Sequence, residues 1–187
     1  MPMIPDLPKS YSSYIQTDGY YFPSVWTSTY WIEWFLKSEQ YYIRTYIKYL
    51  RSEEYYTLVK PVKLLKYYYQ RKKNILGSRL GFFVHARNFG TGLKIYHYGS
   101  VIVHPKAKIG KNCTIHGNCC IGSKGGFPDL PPQIGDNVDI GQDAQILGDI
   151  IVADGVKIGA GAIVTRSIVE PNVTVVGIPA RVMNSKL

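Results

Sequence analysis

Long uncharged apolar runs are missing from this 187-residue chain. No stretch approaches the ~18 apolar residues that a helix needs to cross a bilayer. The opening MPMIPDLPKS has early prolines and no apolar segment, so no signal peptide is expected. The reading is a cytoplasmic protein whose contact with a membrane is at most peripheral. Cysteine is scarce as well: three residues, all within Cys113–Cys120, which excludes a disulfide framework. Acidic residues are outnumbered, 13 against 22 Lys and Arg, for a formal charge of +9. That excess comes without a nucleic-acid motif or a basic run longer than Arg71-Lys72-Lys73, so no nucleic-acid partner is expected. A basic surface equally suits an anionic cofactor, anionic glycans or acidic lipid headgroups.

What is present is a six-residue beat. Val103, Ile109, Ile115 and Ile121 keep it, and after an interruption Ile134, Ile140, Ile146, Val152, Ile158 and Val164 resume it. The fifth place of each unit is small or aliphatic (Ala107, Cys113, Cys119, Val138, Ala144, Val156, Ala162), and glycine often follows the aliphatic residue. A period of six fits neither a helix nor a flat amphipathic strand. It fits a triangular parallel β-helix in which each hexapeptide forms one short face and turns a corner, with coils stacked at about 4.8 Å. Cys113 and Cys119 occupy the same place in successive units and read as stacked core thiols.

Residues 1–80 differ in composition, holding fourteen of the sixteen tyrosines, all three tryptophans, and 12 Lys/Arg against 6 Asp/Glu. Helical spacing shows in Ile43, Tyr46, Ile47 and Leu50, with Ser38 as an N-cap. A second helix is expected from Pro61 through Leu64, Leu65, Tyr68 and Tyr69, with the first β units at Phe83 and Phe89. The division expected is 1–80 for an α-helical, Tyr/Trp-rich basic region, 81–183 for the β-helix, and 184–187 for a tail. The aromatic residues suit helix packing and a cap over the solenoid, or a surface for a sugar or lipid-linked acceptor. Between Ile121 and Ile134 the beat slips by seven residues, and Ser123–Pro132 reads as a Gly- and Pro-rich loop fit for binding.

Four histidines are candidates for chemistry: His85, His97, His104 and His116. His104 and His116 stand twelve apart, two faces of a three-faced prism, and no pair has metal-site spacing, so no metal is expected. Acyl transfer to a hydroxyl needs a base that takes the proton during attack on a thioester, and histidine suits that role. Spacing alone leaves open which histidine serves.

The stretches GLKIYHYGSVIV (Gly92–Val103), GSKGG (Gly122–Gly126), ILGDIIVADGVKIGAGAIV (Ile146–Val164) and VGIPARV (Val176–Val182) resemble the left-handed β-helix acyltransferases, most closely their serine acetyltransferase branch. The resemblance implies a homotrimer and acetyl-CoA as donor. It also implies His97 as general base, with His116 the second choice. For the cofactor it implies Gly159, Ala160 and Gly161 beside the pantetheine arm, Gly141 nearby, and Pro179, Ala180, Arg181 and Lys186 at the C-terminal CoA segment. Gly125 and Gly126 are candidates to support the oxyanion through backbone amides, and Tyr96 and Tyr98 are candidate acceptor contacts.

Departures from the family's pattern shape the expected acceptor. The aspartate before the catalytic histidine is Tyr96 here, the one fifteen residues upstream is Phe82, and the loop histidine is replaced by Pro131 and Pro132. Free serine carries an ammonium group that needs an acidic partner. With the tyrosine-rich N-terminus, this points to a capsular or exopolysaccharide acceptor, with serine acetylation as the alternative. Two further rivals are an antibiotic acetyltransferase and a non-catalytic trimeric scaffold.

Overall fold

The computed structural model describes residues 10–18 and 28–183. It divides into two compact units, residues 1–77 and 78–187.

The first unit is helical. α1 (Tyr11–Ile15) starts at Ser10, whose hydroxyl accepts from the Ser13 amide. α2 spans Ser28–Leu36 and α3 spans Glu39–Leu58. Ser38 caps α3 as expected, its side chain accepting from the Tyr41 amide. α4 spans Lys63–Leu80, two residues beyond the proline expected to open it, and its last turn enters the second unit. Ile43, Ile47 and Leu50 of α3 are buried with Tyr46. Beside them lies a cluster that no periodicity announces. Arg51, 3% exposed, donates to Asp18 at 2.6 Å and to Glu54 at 2.7 Å. Burial works against its charge, but the two carboxylates more than offset this and hold the guanidinium ionised. Lys73 of α4 meets Glu53 of α3 at 2.8 Å, also buried. The tyrosines pack on one another: Tyr11 on Tyr55 and Tyr56, and Tyr56 flat against Tyr69 at 5.6 Å.

The second unit is the left-handed parallel β-helix. Its strands are β1 (Phe82–Phe83), β2 (Lys94–Ile95), β3 (Val101–Val103), β4 (Lys108–Ile109), β5 (Thr114–Ile115), β6 (Cys120–Gly122), β7 (Gln133–Ile134), β8 (Asp139–Ile140), β9 (Gln145–Leu147), β10 (Ile151–Val152), β11 (Lys157–Ile158), β12 (Ile163–Val164), β13 (Thr174–Val176) and β14 (Arg181–Val182). They form three faces, which we call A (β1-β3-β6-β9-β12), B (β4-β7-β10) and C (β2-β5-β8-β11-β13-β14). All pairings are parallel except β13 with β14. The six-residue beat is the inward position. Ile95, Ile115 and Ile140 are fully buried in register along face C, and Val103, Ile121 and Ile146 line face A. Coils advance by eighteen residues where uninterrupted, as from Ile140 to Ile158.

The first coil departs from the expected phase. Val84, not Phe83, points inward (2% against 54% exposed). Phe83 pairs with Ile102, which also faces out. Corners use residues that tolerate positive φ, including Asn112, Asn137 and Asn172 at the turn from face B to face C. Side chains bond from coil to coil there: Asp136 accepts the Lys111 amide and Asp154 accepts the Asp136 amide, both at 2.7 Å. Cys113 and Cys119 lie in the core, and burial pushes the Cys119 thiol up to about 11.

Removing a buried inward side chain should leave a cavity that a stacked solenoid cannot close. Ile140→Ala is expected to lower unfolding stability by about 2–5 kcal/mol, read by chemical denaturation. Lys108→Ala, on an exposed outward position, should stay within about 0.5 kcal/mol of the parent.

Candidate active site

Two edges of the prism carry the chemistry-bearing side chains. At the edge from face C to face A, the register aligns Tyr96, His116, Gly141, Gly159 and Val176 in successive coils. One residue further along the turn, it aligns His97, Gly117, Gln142, Ala160 and Gly177. His97 and Tyr98 are exposed, and the Tyr96 ring centre lies 6.5 Å from that of His97. A methyl group on Gly117 would make ordinary contact with the His97 Cβ at 3.7 Å, and it is the φ of 125° that favours glycine there.

Tyr96 also stacks on His116, with ring centres 4.8 Å apart and planes 28° from parallel, and the Lys94 ammonium lies over the Tyr96 ring at 4.4 Å. His116 Nε2 meets Asp139 Oδ1 at 2.8 Å. An ionised carboxylate only accepts, so His116 donates from Nε2 and its Nδ1 is the acceptor in the neutral ring. Asp139 is a site residue that sequence reasoning missed. The signal was there: counting one coil plus the seven inserted residues sets residue 139 beside Thr114, two residues before His116 on the same face. Phe82, at the position of the family's upstream aspartate, is buried in β1.

The candidate cofactor residues follow the same edge. Gly159 is required by packing, since a Cβ there would meet Val176 Cγ1 at 2.8 Å. Gly161 instead faces open space with φ of 66°, and Ala160 lies between them. Gly141 is another packing glycine, against Ile158 and Ala160 backbone. Pro179 and Ala180 form the turn from β13 to Arg181 in β14, and the Ala180 amide donates to Ile163 O at 2.8 Å. Lys186 lies outside the described residues.

The second edge, from face A to face B, carries the loop. Gly125 and Gly126 have open space around them and within one chain leave a different edge from His97. The loop is held at its base. His104 Nε2 meets Asp129 Oδ2 at 2.7 Å, while His104 Nδ1 accepts the Lys106 amide at 3.2 Å, which fixes the proton on Nε2. Lys124 Nζ donates to Thr165 O at 2.9 Å. The Ser123 hydroxyl and then His104 hold the Asp129 carboxyl below the usual carboxylate range. Among the described residues no group of His, Cys, Asp and Glu could hold a metal ion, and no helix is long and apolar enough to cross a membrane.

Residues 131–166 match the bacterial transferase hexapeptide (six repeats) family. Over 98 residues the chain is 40% identical to serine acetyltransferase 3, mitochondrial, of Arabidopsis thaliana, covering 52% of this chain and 25% of that protein. Over 99 residues it is 36% identical to serine acetyltransferase of Escherichia coli K12, covering 52% and 36%. The soybean serine acetyltransferase apoenzyme superposes with a TM-score of 0.66 at 26% identity, over 93% of this chain and 69% of that one. These likenesses fit the hexapeptide-repeat acyltransferases and, among them, the serine acetyltransferase-like branch. Serine acetyltransferase from Brucella abortus in complex with coenzyme A gives the same TM-score at 28% identity, over 92% of this chain and 67% of that one. The chain spans only a quarter to two-fifths of the length of the curated relatives it matches.

These relatives overturn the capsular or exopolysaccharide acceptor expected above, because they are serine acetyltransferases. Two observations show where that expectation failed. The solved neighbours extend over nearly the whole chain, helices included, so a helical N-terminus is shared with serine acetyltransferases and is no mark of a glycan enzyme. Of the two readings of the tyrosines, helix packing holds for Tyr14, Tyr46 and Tyr55, which are buried and offer no sugar platform.

Asp129 should govern how firmly the loop is held. Its lowered pKa makes the contact present above the ordinary carboxylate range and lost as pH falls through that lowered value. Asp129→Asn is expected to speed tryptic cleavage after Lys124 by roughly 3- to 10-fold at neutral pH. Acidification should bring the parent protein towards the same rate with an acid-active protease.

Proposed function

We propose that this chain is an acetyl-CoA-dependent serine O-acetyltransferase, working as a homotrimer. The observation that carries the reading is the likeness to serine acetyltransferases in sequence over half the chain and in fold over 93% of it. The solved relatives include soybean serine acetyltransferase complexed with serine and the Brucella abortus enzyme in complex with coenzyme A.

The edge that carries His97 suits this chemistry. His97 takes the proton of the serine hydroxyl as the oxygen attacks the thioester carbonyl. The tetrahedral intermediate collapses with loss of the CoA thiolate, and the imidazolium returns the proton to sulfur. O-acetylserine and CoA result, and the base is restored. Ala160 and Gly177, three and four coils along from His97, give a shallow track for the pantetheine arm. Arg181 offers a guanidinium for phosphate. Gly125 and Gly126, on the other edge, would reach the base of a neighbouring subunit in a threefold assembly. The outward apolar residues Ile102, Ile151 and Ile178 favour such burial.

The strongest objection to serine was its unmatched ammonium group. Asp139 answers it in kind. Its carboxylate lies on face C just before the His97 edge, bonded to His116, which in turn stacks under Tyr96. Serine's charge therefore has an acidic partner on a coil other than the one where the family keeps it.

Transfer of labelled acetyl from acetyl-CoA to L-serine tests the reading. The parent protein should form O-acetylserine, and His97→Ala should lower kcat by ~100-fold or more. Asp139→Asn should act mainly by raising KM for serine. A parent protein that binds CoA but leaves serine unlabelled would overturn the acceptor. An active His97→Ala beside an inactive His116→Ala would move the base to His116.

A further inference from the structure

The solvent face of α4 inverts the usual pattern of an amphipathic helix. Its inward side carries Lys73, 4% exposed and paired with Glu53, and Gly77. Its outward side carries Leu64, Tyr67, Tyr68 and Ile75, with Leu64 79% exposed. At 100° per residue these four lie within about a third of the helix circumference, with Arg71 among them and Lys63 and Lys72 at the two borders. Arg71, Lys63 and Lys72 are exposed and make no ion pair among the described residues. The Lys66 and Lys72 ammoniums lie over the rings of Tyr67 and Tyr68, at 5.3 and 5.7 Å. α2 repeats the chemistry: Trp31, Ile32, Trp34, Phe35 and Leu36 are all exposed, Phe35 at 75%, and the Lys37 ammonium lies 4.6 Å over the Trp34 ring.

The charge around these residues is one-sided for an identifiable reason. Asp18, Glu33, Glu53 and Glu54 are engaged by Arg51, Arg44 and Lys73. The acids of the helical unit are thus largely neutralised from within, and the cations left on its surface sit beside exposed aromatic rings.

We propose that the outward face of α4, together with α2, docks on a membrane surface rich in anionic phospholipid. An apolar stripe bordered by lysines is the arrangement of a helix lying in the plane of the interface. Its aliphatic residues enter the headgroup boundary, tyrosine and tryptophan settle at the level of the glycerol and carbonyl groups, and the lysine stems extend so that their ammoniums reach phosphate. Charge selects this occupant over a second copy of the chain. A self-contact across α4 would set Lys63, Arg71 and Lys72 against their own equivalents with no acid opposite, whereas anionic headgroups neutralise them. The proposal uses none of the His97-edge residues and stands whether or not serine is the acceptor.

Flotation of the whole chain with vesicles tests it. The protein should float with phosphatidylcholine vesicles containing phosphatidylglycerol, stay behind with phosphatidylcholine alone, and be released by high salt. Trp31 and Trp34 should report entry as a blue shift of tryptophan emission. A Lys63→Glu/Lys66→Glu/Lys72→Glu variant should lose ~100-fold or more in partitioning, and Leu64→Ser/Ile75→Ser should lose binding while far-UV circular dichroism is unchanged. Failure of the parent protein to float with the anionic vesicles would overturn the proposal. So would unchanged partitioning of the triple variant. A smaller assembly mass for Leu64→Ser/Ile75→Ser, with no vesicle binding by the parent, would show that a second copy covers the face.

Discussion

The solenoid depends on one constraint: each coil must place its backbone amides opposite the carbonyls of the next while turning three corners. Bonds such as Tyr96 N–H to Ile115 O, His116 N–H to Ile140 O and Gly141 N–H to Ile158 O, all between 2.8 and 3.0 Å, run along the stack. With strands only two or three residues long, each unit sends inward one aliphatic residue and the small residue two places before it, and each must be close in size to its neighbours above and below. The aliphatic beat follows from this. So do the packing glycines, because the same stacking brings backbone against backbone at Gly90 and Gly141. Outward positions are released from the constraint, and that is where His97, His116 and Asp139 lie.

This division explains what could be read from the chain and what could not. The inward column was legible because a missing methyl or an added charge there would break the stack. The first coil misled because its phase is set by pairing with β3, where Phe83 lies beside the outward Ile102 and Val84 is the buried residue. Outward residues follow no period, so Asp139 gave no signal of its own. Its partnership with His116 spans 23 residues across an insertion and emerges only when the register is counted. In the helical unit the α3 stripe was plain, whereas α1, five residues long, and the Arg51 cluster were invisible. Charged residues on a helix read as solvated until a partner from another element is known.

The acceptor was misjudged for a related reason. Absence of an acid at two positions was treated as absence of an acid from the site. On a stacked scaffold the two differ, since every outward column offers several coils from which a side chain can reach the same place. His116 and Tyr96, from successive coils, touch as closely as sequence neighbours would. The tyrosines left two readings open, because a ring good for stacking on a sugar is equally good for stacking on another ring, and Tyr56 and Tyr69 do the latter at 5.6 Å.

At the far end of the stack the backbone does something it does nowhere else. After β13 it doubles back, so that β14 lies antiparallel on face C, while the Ala180 amide bonds to Ile163 at the end of face A. A tower of parallel rungs has no natural last storey, because each finished coil is a template for another. By reversing direction over two residues, the chain presents any would-be successor with the wrong polarity on one face and an occupied carbonyl on another. A shape suited to indefinite fibre growth is thereby interrupted on two of its three faces.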